Sequence, residues 1–292
     1  MLADSAADVA TYFERASGVL GYDLWQLVQE GPADRLNQTE FTQPALLTAS
    51  VALYEVARAG GLPAPAAVAG HSLGEYSALV AAGVLSLEDA VGLVQQRGQF
   101  MQTAVPVGEG GMAAVLGLDD GDVRAVCEAA SGDGVVEAAN YNAPGQVVIA
   151  GQSDALAKAI EACKEAGARR AMPLAVSAPF HSSLMKPAAE KMAEALAAAS
   201  FSAPAIPVVQ NVDATFCDDP GQIRENLVRQ MYSAVLWTDC VGTIKGAGIE
   251  TLVECGPGKV LAGLAKRIDR GMTAHNIGDS AQVADVAGAL GA

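Results

Sequence analysis

Basic residues, histidine, cysteine and aromatics are all scarce in this chain. Eighteen lysines and arginines face 33 acids, for a formal net charge of −15 at pH 7. So acidic a surface excludes a non-specific nucleic-acid binder, which must displace phosphate counterions with its own cations. An acidic protein partner would have to dock on a local basic patch, because the field of the whole molecule repels it. The five cysteines, Cys127, Cys163, Cys217, Cys240 and Cys255, are odd in number and scattered, with no Cys-x-x-Cys spacing. That pattern argues against a disulfide frame or a zinc site and for reduced thiols. No apolar run approaches the roughly 20 residues that span a bilayer, although 51% of the residues are apolar. Met1-Leu2-Ala3-Asp4-Ser5 has neither the basic start nor the apolar core of a secretory signal, so a cytoplasmic location is expected.

What the sequence does contain is a serine in an unusual setting. Ser72 lies in Gly70-His71-Ser72-Leu73-Gly74, after the apolar run Ala66-Ala67-Val68-Ala69 and before a helix-like stretch from Glu75 to Ala82. A strand turning sharply into a helix pushes one side chain out of the sheet, and flanking glycines remove Cβ atoms that would clash in the bend. The hydroxyl then stands at a helix mouth. There the N–H groups of Leu73 and Gly74 lack intrahelical acceptors and are expected to hold a developing oxyanion. Acyl transfer through a serine ester suits this arrangement.

At 292 residues the chain is long enough for a large core and a smaller insert. Apolar spacing predicts helices over 6–20 and 43–59, and Ser86 caps a helix to about Thr103. After Gly108 to Gly111 the rhythm changes: strand 112–117, helix 120–130, strands 135–139 and 146–150, helix 153–166, strand 170–176. The order β-α-β-β-α-β is a split unit of the ferredoxin-like type. Helix 181–199, strand 207–212, helix 223–231, strand 250–255, helix 257–270 and strand 273–277 follow. Strands alternating with helices imply a mostly parallel sheet covered on both faces. The expected fold class is thus α/β: a large catalytic subdomain from residues 1–107 and 178–292, and an inserted α+β subdomain from 108–177.

A serine nucleophile needs a base, and only three histidines are present. His71 neighbours Ser72 and points to the other side of the strand, so packing or hydrogen bonding beside the site is its expected role. His275 lies late in the chain, where simple serine hydrolases place their histidine. His181 stands where the insert ends, at a junction where a cleft would form. Position alone divides the base role between His181 and His275.

Several motifs narrow the choice. Gly70-His71-Ser72-Leu73-Gly74-Glu75-Tyr76, Gln95-Gln96-Arg97-Gly98, Asn142-Ala143-Pro144-Gly145-Gln146, Ala178-Pro179-Phe180-His181-Ser182 and Glu254-Cys255-Gly256-Pro257-Gly258-Lys259 occur in this order across nearly the whole chain. Together they resemble the malonyl-CoA:acyl-carrier-protein transacylases of type II fatty-acid synthesis. The resemblance implies an α/β-hydrolase-like subdomain with a ferredoxin-like insert. It also implies transfer of malonyl from malonyl-CoA to the phosphopantetheine thiol of acyl carrier protein, by a monomer with no metal or redox cofactor.

It further implies residue roles. Ser72 would be the nucleophile, His181 the base and acid, Leu73 an oxyanion donor, and Gln230 the residue whose main-chain carbonyl orients His181. Arg97 would pair with the malonyl carboxylate, as a permanently charged guanidinium is shaped to do. Gln43, Asn142 and His71 would line the substrate cleft, and Phe180 would leave little room for a 2-methyl branch, favouring malonyl over methylmalonyl. Lys186, Lys191, Lys259, Lys266 and Arg267 are candidate contacts for the carrier.

Two features depart from the family pattern. The family begins with an apolar strand and a Gly-Gln-Gly-Ser-Gln loop, whereas Met1 to Asp4 resembles sequence downstream of that loop; a start assigned at an internal methionine is the expected reason, and a truly shortened, weakened chain is the alternative. Ser233-Ala234 stands where the family has Asn-Pro. Two alternatives remain: a serine hydrolase using Ser72, His275 and Asp239, and a carrier-binding module without catalysis.

Overall fold

Helix caps and apolar spacing give the first hundred residues a helical frame. In the computed structural model, residues 6–176, 178–279 and 281–291 are described; Met1 to Ser5, on which the start-site expectation falls, lie outside them. α1 spans Ala6–Leu20 as the spacing predicts. α2 (Leu24–Glu30) opens where the Asp23 carboxylate accepts from the Gln26 N–H, and α3 (Ala33–Leu36) follows. α4 (Thr39–Ala59) begins four residues before the expected start. The helix runs through Pro44 with one backbone donor fewer. β1 (Val68–Ala69) leads into α5 (Leu73–Ala81), and α6 (Leu87–Thr103) starts where Ser86 Oγ accepts from the Asp89 N–H at 3.0 Å. Phe13, Leu47, Leu53, Leu79 and Val94 of these helices share one buried core.

The insert forms its own layer. β2 (Gly110–Leu116), α7 (Asp120–Ala130), β3 (Val136–Ala143), β4 (Gln146–Gln152), α8 (Ser153–Glu165) and β5 (Arg170–Pro173) give an antiparallel sheet in the order β3-β4-β2-β5. That is the expected ferredoxin-like order. Val115, Val123, Ile149, Leu156 and Ile160 form a core separate from the first. β3 slips in register against β4 between Ala138 and Asn140 and again between Tyr141 and Ala143, the irregularity that lets a strand re-aim side chains beside a site.

The helix expected from His181 begins later: a 3-10 turn covers Ser183–Met185 and α9 covers Lys186–Ala198. His181 stands outside it with φ of 60°. β6 (Val208–Val209), β7 (Phe216–Cys217), α10 (Pro220–Tyr232), α11 (Trp237–Gly246), β8 (Thr251–Cys255), α12 (Val260–Ile268), β9 (Thr273–Ile277) and α13 (Ala281–Ala289) complete the order. The parallel pairing of the large part comes in two pieces. β1 pairs with β6, whose other edge holds β7 antiparallel, and β8 pairs with β9 in register Thr251 to Thr273. Among the described residues no helix is long and apolar enough to cross a membrane.

Candidate active site

The elbow is real and tight. Ser72 holds φ of 52°, and a Cβ on Gly70 would lie 1.9 Å from the Gly74 carbonyl oxygen, so only glycine fits there. Gly74 itself has open space around its own Cβ position; it is the backbone that Gly70 must clear. The Gly74 N–H donates to the His71 carbonyl at 2.9 Å, which removes it as the expected oxyanion donor. The turn closes on itself and consumes that group. The Ser72 N–H is taken as well, donating to Asn211 Oδ1 at 2.7 Å, while Asn211 Nδ2 donates to the Gly70 carbonyl at 2.8 Å. Leu73, first residue of α5, keeps its N–H at the helix mouth without an intrahelical acceptor.

Ser72 Oγ lies 2.7 Å from His181 Nε2, and His181 Nδ1 lies 2.8 Å from the Gln230 main-chain oxygen. A carbonyl oxygen only accepts, so Nδ1 carries the proton and Nε2 offers its lone pair to the serine hydroxyl. Burial, then the Arg97 charge, pushes the His181 pKa down to about 3, so the free imidazole is neutral. Its positive φ is braced on both sides: Ser182 Oγ donates to the Pro179 carbonyl, and the Ser183 N–H and hydroxyl donate to the two Glu137 carboxylate oxygens at 2.6 and 2.9 Å.

Arg97 reaches the same point from α6. It is 2% exposed. One terminal nitrogen donates to Gln43 Oε1 at 2.9 Å; the other donates to Ser72 Oγ at 3.0 Å and to Gln230 Oε1 at 2.8 Å. None of these partners is a carboxylate, and Nε is buried without an acceptor. A buried cation surrounded by neutral acceptors is incompletely compensated, and burial pulls its pKa down. α6 brings it there through Gly98, where a Cβ would come within 2.6 Å of Glu40 Cα on α4.

The remaining expected residues fall around this centre. His71 Nε2 lies 2.7 Å from Asn142 Oδ1 on β3, with the Trp237 ring beside it at 5.6 Å, and burial lowers its pKa. Phe180 packs against both the main core and the buried residues of the insert sheet. His275 lies on β9 opposite Val253, and the imidazole at Ser72 is His181, so the geometry does not assemble the hydrolase alternative. The sequence reading missed Glu75, Asn211 and Glu137. For Glu75 a signal existed: an acid inside the otherwise apolar α5 is buried only with partners.

Residues 2–289 match the model of the acyl transferase domain. The chain belongs to that family. Among its acyl transferase relatives, the malonyl CoA-acyl carrier protein transacylase of Escherichia coli K12 is 56% identical over 288 residues, covering 97% of this chain and 93% of that protein. The crystal structure of an acyl carrier protein S-malonyltransferase from Vibrio cholerae superposes with a TM-score of 0.95 at 53% identity, over 97% of this chain and 93% of that one. A malonyl-transacylase in complex with its type II PKS acyl-carrier protein superposes with a TM-score of 0.97 at 49% identity, over 99% and 94%.

Proposed function

We propose that this acyl transferase moves a malonyl group from malonyl-CoA to the phosphopantetheine thiol of an acyl carrier protein, through an ester on Ser72, in fatty-acid biosynthesis. One observation carries the choice of acyl group: a buried guanidinium, bonded to no carboxylate, 3.0 Å from the serine oxygen. An acyl chain ending in a carboxylate supplies the missing anion at the right distance, and a neutral acetyl chain does not.

In the first half-reaction His181 Nε2 takes the Ser72 proton as Oγ attacks the thioester carbonyl. The Leu73 N–H donates to the oxyanion. The C–S bond then breaks, and the leaving thiolate takes the proton back from Nε2. In the second half the carrier thiol gives its proton to Nε2 and attacks the ester, and Ser72 leaves and is reprotonated. The balance needs no metal or redox cofactor. Burial is the main cause that depresses His181, and a carboxylate seated on Arg97 offsets the charge that adds to it, so the substrate itself makes the base stronger. Gln43 holds the guanidinium, Asn142 and His71 line the cleft, and Phe180 restricts a 2-methyl branch. The reading places the enzyme in the cytoplasm, consistent with five cysteines that are all free.

Radiolabelled malonyl-CoA should label the wild-type chain at one site, and Ser72→Ala or His181→Ala should abolish the label while His275→Ala retains it. Label on Ser72→Ala would end the proposal.

A further inference from the structure

Glu75 lies three residues after the serine on α5 and is 1% exposed. Its Oε2 accepts from Gln230 Nε2 at 2.9 Å and from the Asn211 N–H at 3.1 Å; Oε1 is buried without a partner. The two residues it touches reach Ser72, His181 and Arg97. Gln230 accepts Arg97 on its side-chain oxygen and His181 on its main-chain oxygen, and donates to the Ser72 carbonyl at 3.0 Å. Asn211 holds the Ser72 N–H. An amide with a guanidinium on its oxygen and a carboxylate against its nitrogen is polarised along the line joining the two charges, which strengthens both bonds.

We propose that Glu75 is the internal counter-ion of Arg97, coupled to it through the Gln230 side-chain amide, and that it serves as a positioning residue keeping Ser72, His181 and Arg97 in register. The inference rests on the acyl-transfer reading above. Its logic is competition. A carboxylate bonded directly to the guanidinium would occupy the hydrogen bonds an acyl carboxylate needs, whereas one held an amide away balances part of the charge and leaves that face to the substrate.

Glu75→Gln isolates the charge, because an amide oxygen still accepts both hydrogen bonds. With its counter-ion gone, Arg97 draws the substrate carboxylate more strongly, while the bonds that Gln230 and Asn211 make to the catalytic groups lose the charge that polarises them. The expected result is a folded protein, a fall of about 5-fold or more in kcat for Ser72 acylation, and a KM for malonyl-CoA unchanged or lower. A smaller fall, or a loss carried by KM, overturns the inference. The pH profile gives a second reading on the wild type, decisive if the variant does not fold. Burial pushes Glu75 up to about 7; Arg97, Asp213, Tyr76 and Cys240 are the charged or titratable groups around it, and nearby His181 lies far lower, at about 3. The kcat/KM for acylation, which reports the free protein, should rise through about pH 7 in the wild type and lose that rise in Glu75→Gln; a flat wild-type profile from about pH 5.5 to 8.5 sinks the proposal. A wild type that takes no malonyl label ends the acyl-transfer reading and this inference together. A wild type that labels, beside a variant that matches it, ends this inference alone.

Discussion

A buried carboxyl group with a bare oxygen is costly to ionise, and Glu75 makes that cost depend on pH. Its pKa in the fold is about 7 against an ordinary 4.5, so folding favours the protonated form. The stability it contributes is fully present below about pH 4.5 and is lost as pH rises through about 7. At about 1.36 kcal/mol per unit, the swing is roughly 3 kcal/mol. His181 runs the other way: its pKa is depressed, so its contribution is present above about 6.5 and lost as pH falls through about 3. Glu75→Gln removes only the first dependence. Denaturant unfolding at about pH 4 and pH 8 should therefore show the variant gaining on the wild type by about 2–3 kcal/mol at the higher pH; a pH-independent difference would contradict the ionised carboxylate. Stability gained with activity lost is the signature of a charge kept for function. At this scale the sequence was legible where chemistry constrains spacing. Ser72, His181 and Arg97 stand in short motifs and meet in space. Asn211 acts through a bond across more than a hundred residues, which no local pattern encodes, and for Glu75 the acid inside an apolar helix announces burial but not its distant partner Gln230.

The loop bearing His181 is held by an element of the other layer. β3 of the insert supplies Glu137, whose two oxygens take the Ser183 N–H and hydroxyl, and its backbone bonds Val235 through Tyr141 N–H and Ala139 C=O, each at 2.9 Å. The insert therefore braces the turn after His181 and, separately, the turn after α10, the helix that carries Gln230. Glu137→Ala removes charge-assisted bonds at the start of the 3-10 turn and should cost about 1.5–3 kcal/mol of stability. It should also lower kcat several-fold with little change in KM for malonyl-CoA, because it loosens the base and not the carboxylate site. Thermal unfolding alongside initial rates checks this; an unchanged kcat would show that His181 is held without the insert. Helices of three or more turns with a regular apolar face were readable, α1 and α7 to the residue. α2, α3 and β7 are too short to show a period, and the two-residue β1 and β6 are far shorter than the apolar runs that announced them. The apolar run after His181 misled for a related reason. Its periodicity belongs to α9, and nothing in it marks the strained turn before the helix.

For the molecule as a whole, charge sets the problem of meeting an acidic carrier. At −15 the enzyme repels such a partner at long range, but within a Debye length of about 8 Å local charges dominate. Lys186 and Lys191 are exposed on α9, which starts directly after the turn that follows His181, with the Lys191 ammonium 5.9 Å from the Phe100 ring. They are the basic residues nearest in sequence to the catalytic loop. Lys259 and Lys266 are exposed on and just before α12, and Arg267 there is engaged with Gln146 at 2.7 Å. Reversing both α9 lysines to glutamate changes the local charge by four units, so the KM for the carrier should rise by about 10-fold. Formation of the malonyl-serine from malonyl-CoA should stay within about twofold, because neither lysine belongs to the Ser72, His181 and Arg97 network. Measuring the two half-reactions separately tests the assignment. A carrier KM equal to that of the wild type would remove α9 as the docking face and leave the cations around α12 as the place to look.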